Sequence, residues 1–107
     1  DATQNVLKIF EQLSAVPRGS GREAKLSRWL QERAEAHDFL WKADKSGNLV
    51  IRVPATPGYE SAPVIVLQGH MDMVCEKTRD SKHDFSRDPS AVVVDGLQNV
   101  WIVVASR

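Results

Sequence analysis

What this 107-residue chain has little of narrows its function first. It carries a single cysteine, Cys75, which excludes an intrachain disulfide and a zinc site built on several thiolates. That usage fits a reducing compartment, so a cytoplasmic setting is expected. Neither charge is in surplus: 14 Lys and Arg stand against 14 Asp and Glu. A neutral chain has no basic footprint for a phosphate backbone, so no nucleic-acid partner is expected. The same neutrality leaves association with other copies unopposed. Long apolar runs are missing too. None approaches the roughly 20 residues of a membrane helix, so no membrane partner is expected. The opening segment, DATQNVLKIF, has no basic stretch ahead of an apolar one and does not read as a secretory signal.

What is present is ordinary for a globular protein, with 42% hydrophobic and 26% charged residues. One domain over residues 1–107 is expected. Val6, Leu7, Ile9, Phe10 and Leu13 recur at helical spacing, and Val16-Pro17 ends the pattern because proline drives the residue before it out of helical geometry. Arg18-Gly19-Ser20-Gly21 follows as a turn. Ser20 and Glu23 have the spacing of a capping box for a second helix, with Leu26, Trp29, Leu30, Ala34 and His37 on its inner stripe. Arg22, Lys25, Arg28, Glu32 and Glu35 form its solvated face. Strands are expected from Phe39 and again around Leu49, Ile51 and Val53, joined through Lys45-Ser46-Gly47-Asn48. Val64-Ile65-Val66-Leu67 is continuous and apolar, as suits an inner strand covered on both faces. A long polar loop spans 73–90, and a last hairpin pairs 91–94 with 100–104 around Asp95-Gly96. The order implies an α/β architecture with two N-terminal helices and a mixed sheet of about five strands.

The chemistry gathers at Leu67-Gln68-Gly69-His70-Met71-Asp72. An inner strand ends, a glycine follows, then His70 and Asp72 at a spacing of two. Residues two apart on an extended chain point the same way, so the pair is expected side by side. The carboxyl end of an inner strand is where open α/β sheets place ligands. A neutral imidazole binds zinc, and an adjacent carboxylate fixes its tautomer. Histidine and aspartate also fall at this spacing by chance, and spacing alone leaves a structural role open.

Further residues carry a resemblance. Val16-Pro17-Arg18-Gly19-Ser20-Gly21, Ser46-Gly47-Asn48-Leu49-Val50-Ile51, Val53-Pro54-Ala55-Thr56-Pro57-Gly58 and above all Val66-Leu67-Gln68-Gly69-His70-Met71-Asp72-Met73-Val74 resemble the aminoacyl-histidine dipeptidases. His83-Asp84-Phe85, Asp88-Pro89 and Asp95-Gly96 match as well. The similarity runs over about residues 5–96 and is to the N-terminal part of a catalytic domain in the paired-metal zinc aminopeptidase and carboxypeptidase superfamily. The resemblance implies that His70 ligates one metal of the pair and that Asp72 is the carboxylate beside it. It implies dipeptides, often ending in histidine, as substrates, and zinc, or manganese or cobalt, as the metal. In such sites the metals polarise the peptide carbonyl and activate water, with a glutamate as base.

The match stops after Asp95-Gly96. Residues 97–107 contain no Asp, Glu or His, where the resemblance would require a bridging aspartate and then a glutamate pair. A catalytic zinc needs three protein ligands and an open position. The chain is therefore expected to be a truncated domain with a divergent tail at 97–107, inactive alone. The alternative is a small self-associating module that keeps the scaffold without catalysis. Val100-Trp101-Ile102-Val103-Val104 has the composition of an exposed pairing edge, so a homo-oligomer through the C-terminal strand is expected. Cys75 reads as a small buried side chain, His83 as part of the loop, and His37 as a structural residue at a helix end. An improvised zinc site from His70, Cys75, His83 and Asp84 lacks regular ligand spacing. The glycines around Ser20 follow a helix rather than a strand, which speaks against a phosphate loop.

Overall fold

In the computed structural model, residues 1–73, 75, 77, 79–88, 90–94 and 100–104 are described, the last two segments by their backbone pairing. Helix α1 spans Ala2–Ser14, with the Asp1 carboxylate accepting the Gln4 N–H at its start. It stops where Pro17 forbids another turn. Arg18, buried beneath it, closes its C-terminus: Nη1 donates to the Leu13 carbonyl at 2.7 Å and to that of Val16 at 3.3 Å. A cation there adds a charged donor to the Leu13 carbonyl, which also accepts from the Val16 N–H, and interacts favourably with the helix C-terminus.

Helix α2 spans Ala24–Ala36. Ser20 does not cap it. The N-cap is Glu23, which makes no side-chain capping bond, and its carboxylate instead accepts the Gly21 N–H at 2.7 Å. The expected capping box is thus replaced, because the Ser20 hydroxyl is engaged elsewhere. The inner stripe is as expected at Leu26 and Ala34, both buried, whereas His37 is exposed and its Nδ1 lies 2.9 Å from the Arg33 carbonyl. At the far end Asp38 takes a φ of 57°, the Asp38 N–H returns to Glu35 and the Phe39 N–H to Ala34. That is a Schellman ending with aspartate in the left-handed position usually held by glycine.

Strands β1 (Leu40–Ala43) and β2 (Leu49–Arg52) form an antiparallel hairpin in the register Leu40 to Arg52. Its turn hangs on Asp44, whose carboxylate accepts the Ser46 and Asn48 N–H groups and the Asn48 side-chain amide, with Gly47 at φ 87°. Leu49 and Ile51 are half-buried and Val50 and Arg52 exposed, as the alternation implies. Helix α2 lies along β1, and Trp41 Nε1 donates to Glu35 at 3.0 Å.

A second antiparallel hairpin pairs β3 (Ser90–Val94) with β4 (Val100–Val104), in the register Ser90 to Val104, and β3 runs beside α1. This is the hairpin expected from the sequence. Its turn around Asp95-Gly96 and its side chains, on which self-association through the last strand depends, lie outside the described residues.

The expected mixed sheet of about five strands is corrected. The described residues hold four strands in two separate two-stranded sheets. Val64-Ile65-Val66-Leu67 is not among them; its side chains are 80–93% exposed. The hairpin strands each find a partner across a short turn. The 64–67 segment is set off by Pro57, Gly58 and Pro63 before it and Gly69 after it, and so has no neighbour in sequence to pair with. The radius of gyration, 16.5 Å, exceeds the roughly 13 Å of a compact domain this long.

Candidate active site

The site forms where two irregular segments meet. One is the turn after α1, residues 16–21. The other is the stretch after the apolar run, residues 70–73 with Cys75. The Met73 N–H donates to the Arg18 carbonyl at 2.9 Å, and Gly19 and Met73 form an isolated parallel bridge. The approach is close: a Cβ at Gly19 would lie 2.7 Å from the Cys75 sulfur, so the exposed thiol would have to turn aside. Gly21 turns the chain toward α2 at φ 78°.

On this seam His70 and Asp72 stand side by side, as expected from their spacing. His70 Nδ1 lies 3.0 Å from the Asp72 Oδ1 and 3.0 Å from the Asp72 backbone carbonyl. Both neighbours only accept, so Nδ1 carries the proton and the neutral ring keeps its lone pair on Nε2. The His70 side chain is 85% exposed and that of Asp72 34%, so the ring stands out from the surface while the carboxylate is half-covered. A free Nε2 lone pair with a carboxylate behind Nδ1 fits the donor geometry of a metal-ligating histidine.

The carboxylate's other oxygen is the part that sequence reading missed. Ser20 Oγ donates to Asp72 Oδ2 at 2.5 Å, across 52 residues of chain. The Ser20 hydroxyl first, and the His70 ring after it, hold the Asp72 carboxyl below its usual range, against a smaller opposing effect of burial. A hint was present in the sequence, since residues 16–21 and 66–74 were both among the stretches carrying the resemblance.

The remaining candidates are not brought into this cluster. No group of three or more His, Cys, Asp or Glu able to hold one ion occurs among the described residues, so His70, Cys75, His83 and Asp84 do not form an improvised site there. The expectation of a buried Cys75 is corrected: the thiol is exposed, beside Gly19. His83 is buried within the polar loop, edge-on to Phe85 at 4.8 Å, and its carbonyl accepts from Lys77 Nζ at 2.5 Å. Asp84 accepts from the Ser86 N–H and hydroxyl and from Arg87, an internal turn of that loop. No helix among the described residues is long and apolar enough to cross a membrane.

No family model matches the chain. A curated relative, the cytosol non-specific dipeptidase of Escherichia coli (strain K12), is 38% identical over 93 residues, which is 87% of this chain and 19% of that protein. The crystal structure of aminoacylhistidine dipeptidase from Vibrio alginolyticus superposes with a TM-score of 0.82 at 36% identity, covering 89% of this chain and 19% of that one. The chain thus spans about a fifth of the length of the proteins it matches. Over that fifth, in sequence and in fold alike, it is a relative of the aminoacyl-histidine dipeptidases.

Proposed function

We propose that this chain supplies one half-site of a metal-dependent dipeptidase that hydrolyses Xaa-His dipeptides, and that the 107 residues alone are catalytically incompetent. In this reading His70 Nε2 is a ligand to one metal ion and Asp72 orients the ring from behind. The observation that supports it is the pair of acceptor oxygens on His70 Nδ1, which leaves the outer nitrogen's lone pair available for ligation. The dipeptidase names of the two relatives support the reaction class. When bound, zinc, manganese or cobalt would polarise the scissile carbonyl and lower the pKa of the attacking water. This chain's own part is narrower: to hold the ring in one tautomer and to keep a negative charge beside it. Ligand count supports the incompetence of the chain alone. A catalytic zinc needs three protein ligands, and the described residues group no three candidates.

The test is histidine release from an Xaa-His dipeptide by the purified chain, with zinc or manganese added, beside an Asp72→Asn control. The expected result is no release above that control. Metal-dependent release that the control abolishes would overturn incompetence while keeping the reaction class.

A further inference from the structure

We infer that Ser20 is a positioning residue for the His70–Asp72 pair, aiming the Asp72 carboxylate at the histidine through its Oδ2. The inference rests on the metal-site reading above and extends it by one residue. A carboxylate held at one oxygen can still swing about its Cβ–Cγ bond and its χ1. Asp72 is held at both: Oδ2 accepts from Ser20 Oγ at 2.5 Å, and Oδ1 faces His70 Nδ1 at 3.0 Å. Both contacts are charge-assisted, the stronger kind of hydrogen bond.

Ser20 is itself fixed from three sides. The Arg22 N–H closes the turn onto the Gly19 carbonyl at 2.8 Å, and the Arg18 carbonyl accepts from Met73. Arg18 pins the start of the turn to the end of α1 through its buried guanidinium. Gly19 pairs with Met73 in an isolated parallel bridge, which holds the turn against the segment carrying Asp72. Ser20 is also at the capping spacing for α2 and does not use it. Its hydroxyl serves Asp72 instead, while Glu23 turns back to Gly21.

The experiment uses the full 107-residue chain, labelled with nitrogen-15 and carbon-13, as the unsubstituted protein and as Ser20→Ala, Ser20→Thr and Asp72→Asn. Three-bond couplings report the Asp72 χ1, and a zinc chloride titration followed at the His70 ring nitrogens reports affinity. Ser20→Ala is expected to average the Asp72 couplings and to weaken zinc by about threefold to tenfold, at or below the low end for groups behind a metal ligand. Ser20→Thr keeps the hydroxyl and restores both readings. Amide signals of the β1–β2 hairpin, remote from the turn, confirm that each variant is folded. Couplings and zinc affinity unchanged in Ser20→Ala overturn the role of Ser20, as does failure of Ser20→Thr to restore them. If no variant, nor the unsubstituted chain, shows a zinc-dependent shift at His70, the metal reading falls and the couplings alone decide whether Ser20 orients Asp72.

Discussion

Two of the stretches outside helix and strand could hardly be treated more differently. The seam between residues 16–21 and 70–73 carries Arg18, Ser20, His70 and Asp72 and is tied down by backbone and side-chain bonds across 52 residues. The 64–67 run directly before it is wholly apolar, and its four side chains are 80–93% exposed. Order in the first comes from directional bonds that its own residues complete. The second would need cover on both faces and a strand at each edge, which the described residues do not provide. Burying a Val, Leu or Ile side chain is worth about 1.5–3 kcal/mol, so the run holds a sizeable unrealised stabilisation. A site can therefore be locally preformed while the sheet that should carry it is not.

Substitutions can break or sharpen this contrast. The largest effect is expected where apolar burial is complete. Leu26→Ala, at a side chain 1% exposed on α2, should cost about 2–5 kcal/mol in urea unfolding. Arg18→Ala should come next, at about 1.5–3 kcal/mol, since two helix-end carbonyls lose a charged donor; the same variant should loosen the Met73 amide in hydrogen exchange. Burial already pulls the Arg18 pKa below its ordinary value, yet the group stays charged at any working pH, so this contribution is flat with pH.

Gly19→Ala should cost less than about 1 kcal/mol, because the new Cβ meets only the exposed Cys75 sulfur, which can turn aside. Pairing it with Cys75→Ala should recover part of the loss, and two strictly additive costs would show that the crowding lies elsewhere. The smallest effect belongs to the bare run. Leu67→Ser should shift stability by less than about 0.5 kcal/mol, and a drop matching Leu26→Ala would mean that the run is covered in solution.

Acid gives a further handle on the hairpin that stands apart from both stretches. The Asn48 side chain first, then the Asn48, Ser46 and Gly47 amides, hold the Asp44 carboxyl below its usual range. Its folded value therefore lies below the unfolded one, near 3.9. The stabilisation is present above that pH and is lost as pH falls through the lower, folded value. Hairpin amide protection should weaken in that acid window, and Asp44→Asn should remove the dependence.

The parts of the fold legible from sequence are those decided by near neighbours. Pro17 ends α1, the alternation at Leu49 and Ile51 finds the inner face of β2, and the hairpin of β3 and β4 falls where expected. His70 and Asp72 were legible for the same reason, since a spacing of two suffices. Ser20 was misread because its capping partner lies three residues away and its real partner 52. Local spacing favours the near reading, and only tertiary contact decides. Val64-Ile65-Val66-Leu67 was read correctly as apolar on both faces, but being a strand requires a partner, and partners are not a property of the segment. Cys75 was assigned by the habit of its residue type, whereas it lies exposed beside Gly19.

The span bridged by Ser20 and Asp72 also sets an order of events in folding. Each helix and each hairpin closes over its own few residues, on timescales of microseconds or less. The contact between Ser20 and Asp72 must first shut a loop of 52 residues, whose entropy is lost before any bond repays it. The α1, α2 and β1–β2 units therefore form ahead of the seam, and the aimed histidine is among the last features to arrive.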